Sequence, residues 1–313
     1  MTELIPVSND KLEKQDNFQS KTTTAYENDL ATENTWVKFR KVLREPLAEF
    51  FACLVMIIFG DGVVAQVVLS NSTKGNYQSI NWGWGIGVMF GVYISGGISG
   101  GHLNPCVTLA NCVFRKFPFW KFPIYAISQT LGCFFGALIV YLNYYSAFDA
   151  FEGAGLRTVI GSTSTASVFS TYPAIFLSTG RQFLSELVSS AVLMACIFAI
   201  CDQYNTPAND KGPLIILFLI FGIGACLGWQ TGYAINMSRD FGTRLLSYAV
   251  GYGNEVWSAG HYYFWVPMVA PFAGCLLGGF LYDFFIYTGT ESPLNFPYFG
   301  LKRLSRKVSR SFL

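Results

Sequence analysis

Six stretches of this chain are long and apolar enough to cross a hydrocarbon core, and they leave little room for any fold but a helical membrane bundle. A crossing helix needs about 20 predominantly apolar residues. Residues 47–69, 82–100, 119–144, 182–201, 213–232 and 262–287 meet that length, each with at most two charged side chains. Inside lipid every backbone N–H and C=O has to be paired within the protein, and a helix does this without an edge. Charged residues make up only 13% of the 313, about half the roughly 25% of a soluble domain, which argues against a cytosolic enzyme. The 31 glycines and 29 phenylalanines suit helices that pack closely on one side and meet lipid on the other. A formal net charge of +2 leaves no electrostatic footprint for nucleic acid.

Two further helix-compatible segments, Asn104 to Phe114 and Asn236 to Ser247, are too short to cross and follow the second and fifth spans almost directly. Short hydrophobic segments at corresponding places in two halves point to an inverted repeat around a central polar path. The residues repeat too. Ala48-Glu49-Phe50 opens the first span and Ser185-Glu186-Leu187 lies near the start of the fourth, and Gly101-His102-Leu103-Asn104-Pro105-Cys106 is echoed by Gly232-Tyr233-Ala234-Ile235-Asn236-Met237-Ser238. A repeat of three spans places its second copy upside down, because three is odd. The two short segments are therefore expected to enter from opposite faces.

Lys and Arg near the spans set the orientation. With the N-terminus inside, the cytoplasmic group includes Lys38, Arg40, Lys41, Arg44, Arg115, Lys116, Lys121 and Lys211, plus the run from Lys302 to Arg310. The opposite face receives Lys74, Arg157, Arg181, Arg239 and Arg244. Asn71-Ser72-Thr73 is a glycosylation sequon in the first outside loop, compatible with this topology. Residues 1–45 are polar, lack the apolar core of a signal peptide, and read as a disordered cytoplasmic tail. Residues 289–313 read as a basic cytoplasmic tail, whose part from Leu301 to Leu313 either touches anionic lipid or serves only as a topology determinant. The channel domain is expected over residues 46–288, multi-pass in the plasma membrane, with both termini cytoplasmic. The eight cysteines form no CxxC pair and mostly sit in apolar runs, so they say little about redox compartment.

The chemistry lies in the two short helices. Asparagine before proline is an N-cap and first-turn pair: the Asn104 oxygen accepts a backbone N–H, and Pro105 fills a position whose N–H would be unpaired. The Asn104 amide NH2 is then expected to be free. Half-helices entering from opposite faces bring their positive N-terminal ends together near the midplane, where cations and protons meet a barrier. Neutral molecules with oxygen acceptors do not, and two free Asn donors replace the hydrogen bonds a solute loses on leaving water. The inferred cargo is a small, uncharged, hydroxylated solute.

The segments SGGHLNPCVTLA and TGYAINMSRDFGTRL resemble the paired signature loops of the aquaporin, or major intrinsic protein, family. The likeness covers roughly residues 46–288. It implies the aquaporin fold, an all-α membrane protein of six transmembrane helices plus two re-entrant half-helices as an inverted repeat. It also implies one pore per subunit and a homotetramer in the lipid bilayer. Arg239, three residues beyond Asn236, falls where the family keeps the arginine of its extracellular constriction, and Trp84, Gly224 and Tyr233 match the other filter positions. The Gly224 position resembles a histidine site in water-specific members, and its lack of a side chain is expected to widen the opening beside an apolar corner of Trp84 and Tyr233. Glycerol carbons can lie on those rings while its hydroxyls bond to carbonyls and Arg239. Asp240, Arg244 and Pro267 also resemble the glycerol-conducting branch, found among fungal glycerol facilitators. The implied activity is passive conduction of glycerol, water and other small uncharged solutes, with protons and ions excluded and no cofactor.

Three positions depart from the family pattern. Met237 stands where a second proline is usual, and Cys106 and Ser238 replace alanines. Methionine restores an N–H donor and supplies a flexible thioether, which either loosens the midplane packing or narrows it. The intramembrane acids Glu49 and Glu186 read either as proton-coupling groups or as carboxylates accepting unpaired N–H groups of the non-helical loops, and the second is favoured. His102 either lines the cytoplasmic half of the pore or hydrogen-bonds a neighbour. Asp61 is expected at the water boundary. No metal or nucleophile constellation accompanies His102 and His261, so catalysis is not expected. A proton-coupled transporter and a non-conducting sensor remain the rival readings.

Overall fold

The computed structural model describes residues 34–297, which fold into helices joined by turns, with no strand among the described residues. Residues 1–33 and 298–313 lie outside them, and with them most of both tail expectations; within the 1–45 segment read as disordered, residues 35–42 are helical instead. A short helix, α1 (Thr35–Val42), is capped by Asn34, whose side chain accepts from the Val37 N–H at 2.9 Å.

The main body contains six long helices: α2 (Arg44–Leu69), α3 (Tyr77–Ser99), α5 (Phe122–Asn143), α7 (Thr179–Cys201), α8 (Gly212–Leu227) and α11 (Trp265–Phe285). The half-helices are α4 (Pro105–Phe114) and α9 (Met237–Ser247), while α6 (Tyr145–Glu152) and α10 (Glu255–Tyr262) lie in connections. Five of the long helices are apolar enough to cross a membrane by length and composition. The exception, α3, has 23 residues but carries six glycines, of which Gly83, Gly85, Gly87 and Gly91 trade hydropathy for close approach of neighbouring segments.

Two spans depart from the hydropathy reading by five residues at one end, the other four by no more than three. Helix α3 starts five residues before 82 because Asn76 caps it: its side chain accepts from Gln78 N at 2.9 Å and Ser79 N at 3.3 Å, and Ser79 Oγ accepts from Asn76 N at 3.2 Å. Helix α8 stops at Leu227 rather than 232, and Gly228 to Ile235 form the non-helical approach to α9.

The repeat is visible in the packing. Gly132 and Gly136 of α5 face the Phe50 and Leu54 carbonyl oxygens of α2 so closely that an added Cβ would run into them or their neighbours. Gly274 and Gly278 of α11 meet the Leu187 and Ala191 carbonyls of α7 in the same way. Phe50 and Leu187 are the residues after Glu49 and Glu186, so matching glycines meet matching carbonyls in the two halves. The halves also interlock: α4 packs on α11, α9 on α5, and α3 on α8.

Candidate functional site

Asn104 and Asn236 each cap a half-helix. Asn104 Oδ1 accepts from Cys106 N at 2.9 Å, and Asn236 Oδ1 accepts from Ser238 N at 3.0 Å and Arg239 N at 3.3 Å. Each amide nitrogen then crosses to the other half. Asn104 Nδ2 donates to Ile235 O and Asn236 Nδ2 to Leu103 O, both at 2.8 Å. The two N-termini therefore meet head to head. This corrects the expectation of free amides, because one hydrogen of each NH2 is committed to the opposite loop and one remains.

The loops that deliver the asparagines repeat in backbone conformation. Gly100, Gly101 and Leu103 have positive φ, as do Gly232, Tyr233 and Ile235 at the matching positions. For Ile235, a β-branched residue at φ 43°, this is a strained state that its surroundings have to enforce. The enforcing group is Glu186, whose carboxylate accepts from Ala234 N at 2.9 Å and Ile235 N at 2.8 Å. Glu49 does the same for His102 N at 3.0 Å and Leu103 N at 2.8 Å. It also accepts from Ser99 Oγ and from Gln129 Nε2, the latter at 2.8 Å. Both carboxylates are fully buried, and their oxygens are taken up by loop N–H groups.

A cavity of about 930 Å³ runs beside both asparagines. Trp84, Tyr233 and Arg239 line one part of it, and His102, Arg115, Asp202 and Glu291 line another. Arg239 is 7% exposed and is held from two sides: Nη1 donates to Phe169 O at 2.7 Å, and its guanidinium carbon lies 4.3 Å from the Trp84 ring centre. Such a stacked cation presents its remaining N–H groups in a fixed direction. His102 Nδ1 lies 3.1 Å from Thr108 Oγ1. Farther along the wall, Arg115 sits between the Phe198 and Tyr287 rings and pairs with both Asp283 oxygens at 2.7 and 2.9 Å.

Gly224 does not leave an opening. A Cβ there would run into Asn81 Oδ1 and lie 2.8 Å from Tyr233 Cζ, so the space is filled by neighbouring side chains. Asp61 also departs from expectation: it is fully buried rather than at a water boundary. Asp240 lines no part of the cavity but accepts from Thr171 N at 2.8 Å and pairs with Arg244 Nε at 2.8 Å. Arg244 Nη2 returns to Thr171 O at 2.7 Å, clamping the segment that supplies Phe169 O. Met237, at the first turn of α9, has an N–H that faces the Cys106 sulfur of the other half-helix. Ser238 Oγ donates to Asn236 Oδ1 at 2.9 Å.

Sequence reasoning missed Asn81, Gln129, Phe169 and Thr171. A buried amide in a span was a signal for Gln129, since polar groups in lipid-length helices need partners, whereas Asn81 falls just before the span read as 82–100. Phe169 acts through a backbone carbonyl on a long loop and carries no side-chain signal.

A bundle of membrane-length helices, with two half-helices meeting head to head beside a long cavity, defines a polytopic membrane protein built on an inverted repeat. Residues 36–282 match the family model for Major intrinsic protein, and the chain belongs to that family. It is 61% identical over 270 residues to Aquaglyceroporin-9 of Botryotinia fuckeliana, covering 86% of this chain and 59% of that protein. It is 61% identical over 270 residues to Probable aquaglyceroporin-2 of Gibberella zeae, covering 86% of this chain and 80% of that one. Among solved structures it resembles the X-ray structure of the aquaglyceroporin from Plasmodium falciparum, with a TM-score of 0.70 and 30% identity over 78% of this chain and 96% of that chain.

Proposed function

We infer that this chain is a passive channel for glycerol, water and other small uncharged solutes, and that it excludes protons and ions. The observation that carries the reading is the reciprocal contact of Asn104 and Asn236 beside a cavity also lined by Trp84, Tyr233 and Arg239. Two helix N-termini facing each other make that point positive, which repels cations. The remaining hydrogen of each asparagine is a donor for a hydroxyl oxygen. The Trp84 and Tyr233 rings offer apolar surface opposite the Arg239 guanidinium, a pairing suited to a polyol with a carbon side and a hydroxyl side. Relatives named aquaglyceroporin, at 61% identity, support the same cargo.

In this reading Asn104, Pro105, Cys106, Asn236, Met237 and Ser238 form the midplane, and Trp84, Tyr233 and Arg239 the selective constriction, with Gly224 leaving room for the Tyr233 ring. His102 lines the wall, and Glu49, Glu186 and Asp240 hold the loops. Residues 46–288 form the channel, which sits in the plasma membrane as a homotetramer with residues 1–45 and 289–313 in the cytoplasm; the Lys and Arg asymmetry supports that orientation. Conduction rather than catalysis or proton coupling is favoured because the Glu49 and Glu186 oxygens are already engaged by loop donors. Reconstituted protein in liposomes tests the reading. Glycerol influx well above lipid background, without accumulation against a gradient, is expected; background flux would overturn it, and accumulation would favour a transporter.

A further inference from the structure

Tyr77, Asn81 and Trp84 fall at positions i, i+4 and i+7 of α3 and so lie along one face of it. Trp84 lines the cavity, whereas Asn81 stands outside its wall, fully buried. Asn81 Oδ1 accepts from the Tyr233 hydroxyl at 2.9 Å. Its Nδ2 has no hydrogen-bond partner among the described residues. The tyrosine contact is thus the one side-chain hydrogen bond among them that holds an amide at this buried place, where leucine would fill similar space without an unpaired donor.

The other side of the same cluster is closed by packing. Tyr77 donates its hydroxyl to Gly224 O at 3.1 Å, and the Tyr233 ring occupies the space beside Gly224 and Gly228 that side chains would otherwise fill. Tyr233 itself has φ 39°, a backbone state that tyrosine seldom adopts. The glycine pocket accommodates the ring, and the Asn81 acceptor keeps the ring turned with its hydroxyl on the side away from the cavity.

We propose that Asn81 is a positioning residue for solute selection: by binding the Tyr233 hydroxyl behind the cavity wall, it makes the tyrosine present an apolar ring, rather than an O–H group, to the passing molecule. This rests on the glycerol-channel reading above. Without the Asn81 acceptor, a buried hydroxyl has to find another partner, and the nearest wet one is the cavity. The constriction then becomes narrower and more polar, which favours water over a polyol.

The test is the ratio of glycerol to water permeability per channel in proteoliposomes. Asn81→Leu is expected to lower that ratio at least fivefold with water flux within about twofold of wild type. Asn81→Asp keeps the acceptor oxygen and is expected to retain the wild-type ratio. Adding Tyr233→Phe to Asn81→Leu removes the unpartnered hydroxyl and is expected to return the ratio toward wild type, an outcome that a general packing defect does not produce. An unchanged ratio in Asn81→Leu, or a double variant as impaired as the single one, overturns the proposal. If Asn81→Leu fails to reach the membrane, the other two variants decide: a wild-type ratio in both supports it, and loss of the ratio in either overturns it. Wild-type protein at lipid background would instead defeat the channel reading itself.

Discussion

The Arg239 guanidinium lies over the Trp84 indole, its central carbon 4.3 Å from the ring centre, while Nη1 is tied to Phe169 O at 2.7 Å. A cation over an aromatic ring contributes about 2 kcal/mol where water is excluded, so the arginine is fixed rather than free to swing. Arg239→Ala is expected to raise the flux of five-carbon polyols several-fold and to weaken proton exclusion. Solute influx and a pH-sensitive dye trapped in the same liposomes check both, and unchanged selectivity would remove Arg239 from the constriction.

Glu49 and Glu186 hold equivalent loops with unequal numbers of bonds. Each buried N–H left unpaired costs about 1–3 kcal/mol, and alanine at either position strands two of them. Glu49 also engages Ser99 and Gln129. Glu49→Ala is therefore expected to lower the thermal midpoint in detergent more than Glu186→Ala, with both below wild type.

Asp149, in the connecting helix α6, gives a pH prediction. The Gly155 backbone N–H, then the Arg157 guanidinium, hold its carboxyl below the ordinary aspartate range, with bonds of 3.2 and 2.9 Å. A depressed value means the loop is favoured above the unfolded aspartate value, about 3.9, and that this advantage is lost as pH falls through the lower folded value. Hydrogen exchange at Gly155 should stay slow at pH 5 and quicken only below about pH 4. Asp149→Asn should remove that acid-dependent step.

Met237→Pro should fold and conduct. The first-turn N–H of α9 makes no intrahelical bond, and Pro105 occupies the matching place in α4. The change in stability is expected within about 1 kcal/mol. Loss of the protein from the membrane would show instead that the N–H facing Cys106 is needed.

Gly278→Ala is expected to destabilise the bundle by about 3 kcal/mol, because its Cβ would run into the Ala191 carbonyl and α7 and α11 would have to part. Gly62→Ala has nothing within 4 Å of the new Cβ and serves as the neutral control. Equal yields of folded protein from the two would contradict the packing account.

The six spans and two half-helices were legible because lipid imposes a length and a composition, and because the Asn-led segments occur twice. What hydropathy missed was set by other forces. The start of α3 depends on the Asn76 and Ser79 capping box, which is polar. The end of α8 depends on a backbone that turns toward Asn236 although its residues are still fairly apolar. Gly224 reads as open space in a sequence, yet Asn81 of α3 and Tyr233 of the non-helical approach to α9 fill it. Asp61 looked exposed because it sits near a span's end, and only packing puts it inside.

The latch between the half-helices has a consequence for biogenesis. Leu103 O waits for an amide 133 residues later in the chain, and Asn104 for a carbonyl 131 residues later. Contacts so distant in sequence are slow to form, and during synthesis the ribosome delivers the early partners long before the late ones. Until the fifth span has been threaded, the first re-entrant loop has no mate, and a nascent chain stalled there would be a natural target for membrane quality control.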